Sequence, residues 1–158
     1  MDTLKDVYTQ QLRDIYSSNE QTLALVPEMQ KLASDDRLKK ALDKTTSIVR
    51  QQNEAIAAIV KKHGADPKGE FCKGTQGLVN EAKDDTGEAK EGPVRDAVII
   101  ASMQRISHYA IAGYGTCKAL AKQLGTGDDS DLAQCVARAA EGDETFTTIA
   151  EENVNPSA

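Results

Sequence analysis

The sequence predicts an all-α protein, an antiparallel four-helix bundle with a long crossover between helices two and three. Apolar residues recur at steps of three and four along four long segments, and no segment keeps the alternation of a half-buried strand. Trp is absent and aromatic residues are limited to four Tyr and two Phe, so the core must rely on Ala, Leu, Ile and Val. The length of 158 residues is typical of one domain, which we expect to cover residues 1–152.

The first two predicted helices form a hairpin. The first covers residues 2–33 and contains Pro27, which should bend it because proline cannot donate a backbone hydrogen bond. Residues 34–36, Ser-Asp-Asp, can cap the second helix. We expect that helix to end at His63 and Gly64, since a cation and a glycine are both favourable at a helix C-terminus.

A long crossover, about residues 64–92, follows the second helix. Its composition turns to Gly, Lys, Asp and Pro, and only Gln76–Lys83 resembles a short helix. Pro93 is a favourable first residue for a third helix. The apolar seam of that helix continues to Leu124, and Gly125 marks its end.

The fourth predicted helix follows Asp128-Asp129-Ser130-Asp131, which can cap it. Its apolar positions run from Leu132 to Ile149, and we expect residues 153–158 to form a frayed tail. The chain therefore consists of two antiparallel helical hairpins joined by one long connection. This is the ferritin-like connectivity.

Two glycines, Gly113 and Gly115, flank Tyr114 inside the third predicted helix. A glycine within a helix costs ~1 kcal/mol relative to alanine, so it needs a packing or functional reason. We interpret the pair as a close approach to a neighbouring helix, with a hinge or room for a ligand as the functional alternative.

Charge and hydropathy argue against nucleic-acid and membrane partners. The formal net charge is −6 and the isoelectric point is near 5.0, whereas phosphate binding requires clustered Lys and Arg. The longest apolar run is Ala55–Val60, far short of the ~20 residues that span a bilayer. The chain begins without an apolar signal core, so we expect a cytoplasmic location.

The three cysteines form no C-x-x-C pair, which argues against a structural zinc site or a complete disulfide framework. Cys117 and Cys135 fall on apolar helix faces, where we expect small buried residues. Cys72 lies in the crossover beside Lys68 and Lys73 and is the candidate for a reactive thiol.

A di-iron centre in such a bundle needs Glu from two helices and a Glu-x-x-His pair from each of the other two. The sequence has only two histidines, His63 and His108, and the residues three positions earlier are Val60 and Arg105. Neither forms the pair. The polar residues expected to face the middle of the bundle are all neutral: Asn19, Thr22, Thr45, Gln52 and Ser107.

Short segments along nearly the whole chain match a known family in order and spacing. They are Leu12-Arg13-Asp14-Ile15-Tyr16, Leu25-Val26-Pro27-Glu28-Met29, Pro67-Lys68-Gly69 with Cys72, Gly77-Leu78, Asp96-Ala97, Gln104, His108-Tyr109, Tyr114-Gly115 and Ala121 to Gly125. Together they resemble the YciF/YciE group of bacterial ferritin-like proteins. The resemblance implies a stress-associated, cytoplasmic, dimeric bundle of a type that often carries a di-iron carboxylate site.

Where the family pattern places its metal ligands, this sequence departs from it on every helix. The positions carry Asn19 on the first helix, Thr45, Ile48 and Gln52 on the second, Ser107 and Ala110 on the third, and Arg138 and Ala139 on the fourth. The comparison with the family therefore implies a scaffold retained without its metal. We expect neither metal ligands nor catalytic residues.

The function expected from the sequence is that of a non-catalytic, metal-free bundle without a cofactor, a stress-associated structural or interaction protein that forms a homodimer. Ile100 and Ile111 are candidates for its apolar contact surface. A third and weaker hypothesis is a small-molecule binder with a cavity near Ala110 and Gly113. The main alternative is a di-iron ferroxidase or oxidase-like protein with iron or manganese at a displaced site formed by Glu20, Glu54, His108, Glu141 and Glu144.

Overall fold

A computed structural model describes all residues 1–158 and contains five α-helices and no strand. The helices are α1 (Leu4–Leu32), α2 (Asp36–Lys62), α3 (Lys73–Glu88), α4 (Pro93–Leu124) and α5 (Asp129–Ile149). A π-helical turn, Ala150–Val154, and a 3-10 turn, Asn155–Ser157, continue α5. The prediction of an all-α bundle of four long helices with a long crossover is confirmed.

Local capping interactions explain most of the helix boundaries. Thr3 and Asp6 form a capping box at the start of α1, in which each side chain accepts a hydrogen bond from the other residue's backbone N–H. The Asp35 carboxylate accepts a hydrogen bond from the Leu38 N–H at the start of α2. Pro93 opens α4, and Gly125 closes it in the left-handed conformation with φ of 64°.

Polar contacts between distant residues define the direction of the long helices. The Asn53 amide on α2 donates to Glu20 on α1, and the Gln104 amide on α4 donates to the Thr147 hydroxyl on α5 at 2.8 Å. Because only a short turn separates the two helices of each hairpin, a contact this far from the turn requires the helices to be antiparallel. Lys44 on α2 contacts Glu141 on α5 at 3.1 Å, which places the two hairpins side by side.

The crossover spans the length of the bundle, because the last residue of α2 and the first residue of α4 lie at opposite ends of it. Lys62, the last residue of α2, contacts Asp128 in the α4–α5 turn, whereas Asp96 at the start of α4 accepts the backbone N–H groups of Ser34 and Asp35 in the α1–α2 turn. Helix α3 lies within this crossover and packs on α1 and α4.

A polar layer divides the core into two apolar clusters. The Phe146 cluster contains 14 buried residues, among them Leu25, Leu42 and Ile99. The Tyr8 cluster contains 11 buried residues, among them Leu12. Between them along the helices lie the buried polar side chains Ser17, Ser18, Asn19, Thr22, Gln52 and Asn53.

The crossover and the tail differ from the sequence prediction. Helix α3 has 16 residues, Lys73–Glu88, instead of the short Gln76–Lys83 segment, because Ala82 and Thr86 extend its buried face. Asn153 and Val154 do not belong to the frayed tail predicted for residues 153–158. Val154 packs in the Phe146 cluster and the Asn153 amide donates to Asp35 at 2.6 Å, so both residues are held in place.

The surface role expected for Ile100 is likewise wrong, since Ile100 is buried in the Phe146 cluster. Ile111 is partly buried. None of the helices combines the length and apolar character that a membrane span requires.

Candidate functional site: the mid-bundle cavity

The long helices α1, α2, α4 and α5 enclose a cavity of about 40 Å³ in the middle of the bundle. Fourteen residues line it, and half of them are hydrophobic. It lies at the level of the polar layer, between the two apolar clusters. Asn19 and Gln52 contribute buried amides, whereas Arg138 lies at the exposed side.

The structure brings together all eight positions at which the resemblance to the family implies a replaced metal ligand. Every one of them lines this cavity: Asn19, Thr45, Ile48, Gln52, Ser107, Ala110, Arg138 and Ala139. These residues come from four helices and are separated by up to about 120 positions in the sequence. Their convergence is therefore a property of the packed bundle, not of any local segment.

A chain of buried hydrogen bonds beside the cavity connects the four long helices. The Tyr114 hydroxyl on α4 donates to Asn19 Oδ1 on α1 at 2.9 Å and lies 3.4 Å from Gln52 Oε1 on α2. Gln52 Nε2 in turn donates to the Cys135 carbonyl on α5 at 2.9 Å. Burial raises the pKa of the Tyr114 phenol above its ordinary value, so Tyr114 is a neutral donor at physiological pH.

Two amide atoms of the polar layer have no hydrogen-bond partner in the protein. They are Asn19 Nδ2 and Asn53 Oδ1, and both side chains are buried. Asn53 uses its other amide atom to bind Glu20. The layer is thus well connected but leaves two buried polar atoms without partners, which is costly unless water or a ligand completes their hydrogen bonds.

The residues around the cavity do not fit a di-iron centre. Iron in such a bundle needs carboxylates and imidazoles to balance its charge. The lining contains amides, hydroxyls, apolar side chains and the Arg138 guanidinium, with no Asp, Glu or His. A cationic side chain at the rim opposes a second cation, and the remaining lining offers only neutral hydrogen-bonding groups.

The residues of the alternative metal site do not assemble elsewhere. Glu20, Glu54 and Glu144 are exposed, Glu141 pairs with Lys44, and His108 is 67% exposed beside Asp143. No three His, Cys, Asp or Glu side chains in the structure come together in a way that could hold a metal ion. Of the two residues named for a small-molecule cavity, Ala110 lines the mid-bundle cavity and Gly113 does not.

Cys72, the candidate for a reactive thiol, is buried. It caps the start of α3, where its Sγ lies 3.2 Å from Asp14 Oδ2 and 3.1 Å from the Tyr109 hydroxyl. Ser17 and Gln21 bind its backbone N–H and carbonyl. The thiol therefore helps to dock the crossover onto α1 and α4.

Cys117 and Cys135 are buried in the Tyr8 cluster, as predicted. Burial raises the pKa of the Cys117 thiol to about 12 and that of the Cys135 thiol to about 11. Both are therefore protonated and poorly nucleophilic at neutral pH.

Sequence reasoning did not identify the connecting role of Tyr114. The available signal was a Tyr between two glycines on the third helix, a position where a large side chain can reach across the core. The sequence predicts that Asp128 is a helix cap. It does occupy the position before α5, but its side chain makes no capping hydrogen bond and binds Tyr8, Lys62 and His63 instead.

Known proteins resemble this chain in both sequence and fold. The sequence profile described as Domain of unknown function (DUF892) matches residues 3–158. Protein YciF of Escherichia coli strain K12 is 31% identical over 160 residues, spanning 100% of this chain and 96% of YciF. The resemblance to the YciF/YciE group is thereby confirmed.

Two solved structures agree with the fold. The crystal structure of the E. coli stress protein YciF matches with a TM-score of 0.90 at 32% identity, covering 98% of this chain and 99% of that one. YcfI from Rhodopseudomonas palustris, for which a structural role is suggested, matches with a TM-score of 0.91 at 32% identity, covering 95% and 96% of the two chains.

Proposed function

The chain belongs to the DUF892 family, and on that premise we propose that it is a non-catalytic, metal-free bundle with a structural or interaction role in a stress response. One observation carries the proposal. The positions where the family pattern places metal ligands converge on one cavity whose lining holds no carboxylate and no imidazole. A scaffold with this donor set has no means of balancing the charge of a metal pair.

The hydrogen-bonded chain through Tyr114 supports the same proposal. A metal centre ties the helices of a bundle together through its ligands, and here neutral side chains connect the same four helices. Neutral groups also avoid the mutual repulsion that clustered carboxylates cause in a metal-free core. Hydrogen bonds between neutral side chains thus connect the helices without a metal.

The stress-related and structural parts of the proposal rest on relatives. YciF of E. coli is described as a stress protein, and a structural role is suggested for YcfI. We extend these roles to this chain, together with a homodimeric state and a cytoplasmic location, and without nucleic-acid or membrane partners. Equilibrium sedimentation at tens of micromolar should give the mass of a dimer, and a monomer throughout would rule the dimer out.

Elemental analysis tests the metal-free state. Protein purified from cells grown with added iron and manganese should contain far less than one metal ion per chain, and a chelator should leave its melting temperature unchanged. Helicity measured by circular dichroism on the same sample shows that the protein is folded. Two metal ions per chain would overturn the proposal.

Matched variants locate any metal that is found. In the di-iron alternative, replacing Glu20, Glu141 and Glu144 by Gln removes the carboxylates of the displaced site. Loss of metal in that variant would support a di-iron protein. The same substitutions at Glu70, Glu81 and Glu88, which are exposed in the crossover, are the control and should not change metal content.

A further inference from the structure

Asn19 lines the mid-bundle cavity and carries a buried hydrogen-bond donor without a partner. Its side chain is only 2% exposed, and its Oδ1 accepts the Tyr114 hydroxyl while its Nδ2 has no partner in the protein. Exchange of the two amide atoms would leave Oδ1 unpaired in its place. In either orientation one polar atom of Asn19 is buried and needs a partner that the protein does not supply.

The cavity has room for that partner. Its volume is about 40 Å³. One buried water molecule needs ~10–15 Å³ of cavity volume, so about three can fit. The Thr22 and Thr45 hydroxyls, which also line the cavity, donate to the carbonyls of Ser18 and Ala41. Their oxygens remain free to accept hydrogen bonds, which gives a buried water the several polar partners that it requires.

Charge determines the class of molecule that can bind. No lining residue is acidic, and the Arg138 guanidinium lies at the rim, where it donates to Gln51 at 2.8 Å. A cation would find no counter-charge. A bare anion beside Asn19 would be buried against Met103, Ile106 and Phe146, while the guanidinium stays at the exposed side, which is unfavourable.

We propose that the cavity is a binding site for a small cluster of water molecules, anchored by Asn19, at the positions where the resemblance implies replaced metal ligands. This inference rests on the proposed metal-free function and names the ligand of the same site. The waters complete the polar layer and add to the hydrogen bonds that connect the four helices.

Filling the cavity with a larger side chain tests the proposal, because the melting temperature should fall if the cavity holds water and rise if it is empty. Ala110→Val adds two carbons to the lining. If waters are bound to Asn19, the valine displaces them and leaves the amide unpaired, so the melting temperature should fall by about 2–4 °C. If the cavity is empty, the added carbons fill apolar space and the melting temperature should rise, which would overturn the proposal.

Ala119→Val is the matched control. Ala119 is exposed on the same helix, so its substitution measures only the lower helix propensity of valine. The comparison is made between the two shifts in melting temperature.

A direct measurement separates lost water from steric strain. Nuclear magnetic resonance of 15N-labelled protein should show magnetisation transfer from long-lived water to the Asn19 side-chain amide protons, and Ala110→Val should abolish it. Absence of transfer in the unsubstituted protein would refute the water cluster. Metal content of the same sample keeps the two proposals apart: bound metal contradicts the proposed function, whereas a metal-free protein with a dry cavity contradicts only this inference.

Discussion

Asp128 is a carboxylate that the fold buries almost completely, with 3% of its side chain exposed. Tyr8 donates to it at 2.9 Å, Lys62 at 2.6 Å and His63 at 2.7 Å. Burial by itself would raise the pKa of Asp128, but the hydrogen bonds from Lys62 and His63 outweigh it and hold that pKa well below the ordinary value. One side chain thus ties α1 and the end of α2 to the α4–α5 turn.

Replacing Asp128 by Asn should destabilise the protein by about 2–4 kcal/mol at pH 7, because Lys62 loses its buried counter-charge. The lowered pKa means that the charged carboxylate stabilises the fold above the ordinary Asp pKa, and that this stabilisation is lost as the pH falls towards the folded-state pKa. Urea unfolding at pH 7 and pH 3 should therefore show a smaller difference between the two proteins at pH 3.

Asp84→Asn is the control for Asp128→Asn, since Asp84 is exposed on α3 and forms no hydrogen bond or ion pair. It should leave the free energy of unfolding nearly unchanged at both pH values. An equal loss in the two variants would mean that the Asp128 cluster contributes nothing specific.

Helix α4 contains two glycines, of which only one is in close contact with another helix. A Cβ atom at Gly113 would lie 2.0 Å from Ile15 Cδ1 on α1, whereas one at Gly115 would meet nothing within 4 Å. The sequence interpretation of a close helix approach therefore applies to Gly113 alone. Gly113 lets α4 approach α1, and Gly115 only lowers the helix propensity of α4.

The two glycines form a matched pair for substitution. Gly115→Ala should stabilise the protein by about 0.5–1 kcal/mol, because alanine loses less conformational freedom in a helix. Gly113→Ala should destabilise it by about 1–3 kcal/mol, because Ile15 is buried and must move. Thermal unfolding of the two variants should shift in opposite directions, and equal shifts would refute the close contact between α1 and α4.

We expect the two ends of the bundle, on either side of the polar layer, to unfold together. The Phe146 cluster and the Tyr8 cluster share all four long helices, since each helix passes from one cluster to the other. The hydrogen-bonded chain through Tyr114 also joins the helices between the clusters. Continuous helices and a connected middle layer favour a single cooperative transition.

Truncation of one leucine in each cluster tests this cooperativity. Leu42→Ala in the Phe146 cluster and Leu12→Ala in the Tyr8 cluster should each lower the free energy of unfolding by about 2–5 kcal/mol. Helicity reports on the whole bundle, whereas tyrosine fluorescence reports on the Tyr8 cluster, which contains Tyr8 and Tyr114. The two signals should still show one shared transition. Separate transitions for the two probes would show that the clusters unfold independently.

Local patterns in the sequence were sufficient to place the four long helices and most of their ends. Caps such as Asp35, Pro93 and Gly125 act on neighbours within one turn, and apolar periodicity identifies a buried face without knowledge of its partner. Helix α3 was underestimated because few of its residues are apolar. It is held partly by polar contacts such as the one between Thr75 and Ser18 at 2.7 Å, which have no periodic signature.

The neutral character of the inward-facing residues was also evident from residue identity alone, and the resemblance to a family pointed to the positions that matter. Packing decided the rest: that these positions enclose one cavity, that Tyr114 connects Asn19 with Gln52, and that Cys72 is buried. Such contacts join residues tens of positions apart in the chain. Their geometry depends on how whole helices lie against one another, so it is determined only once the tertiary structure has formed.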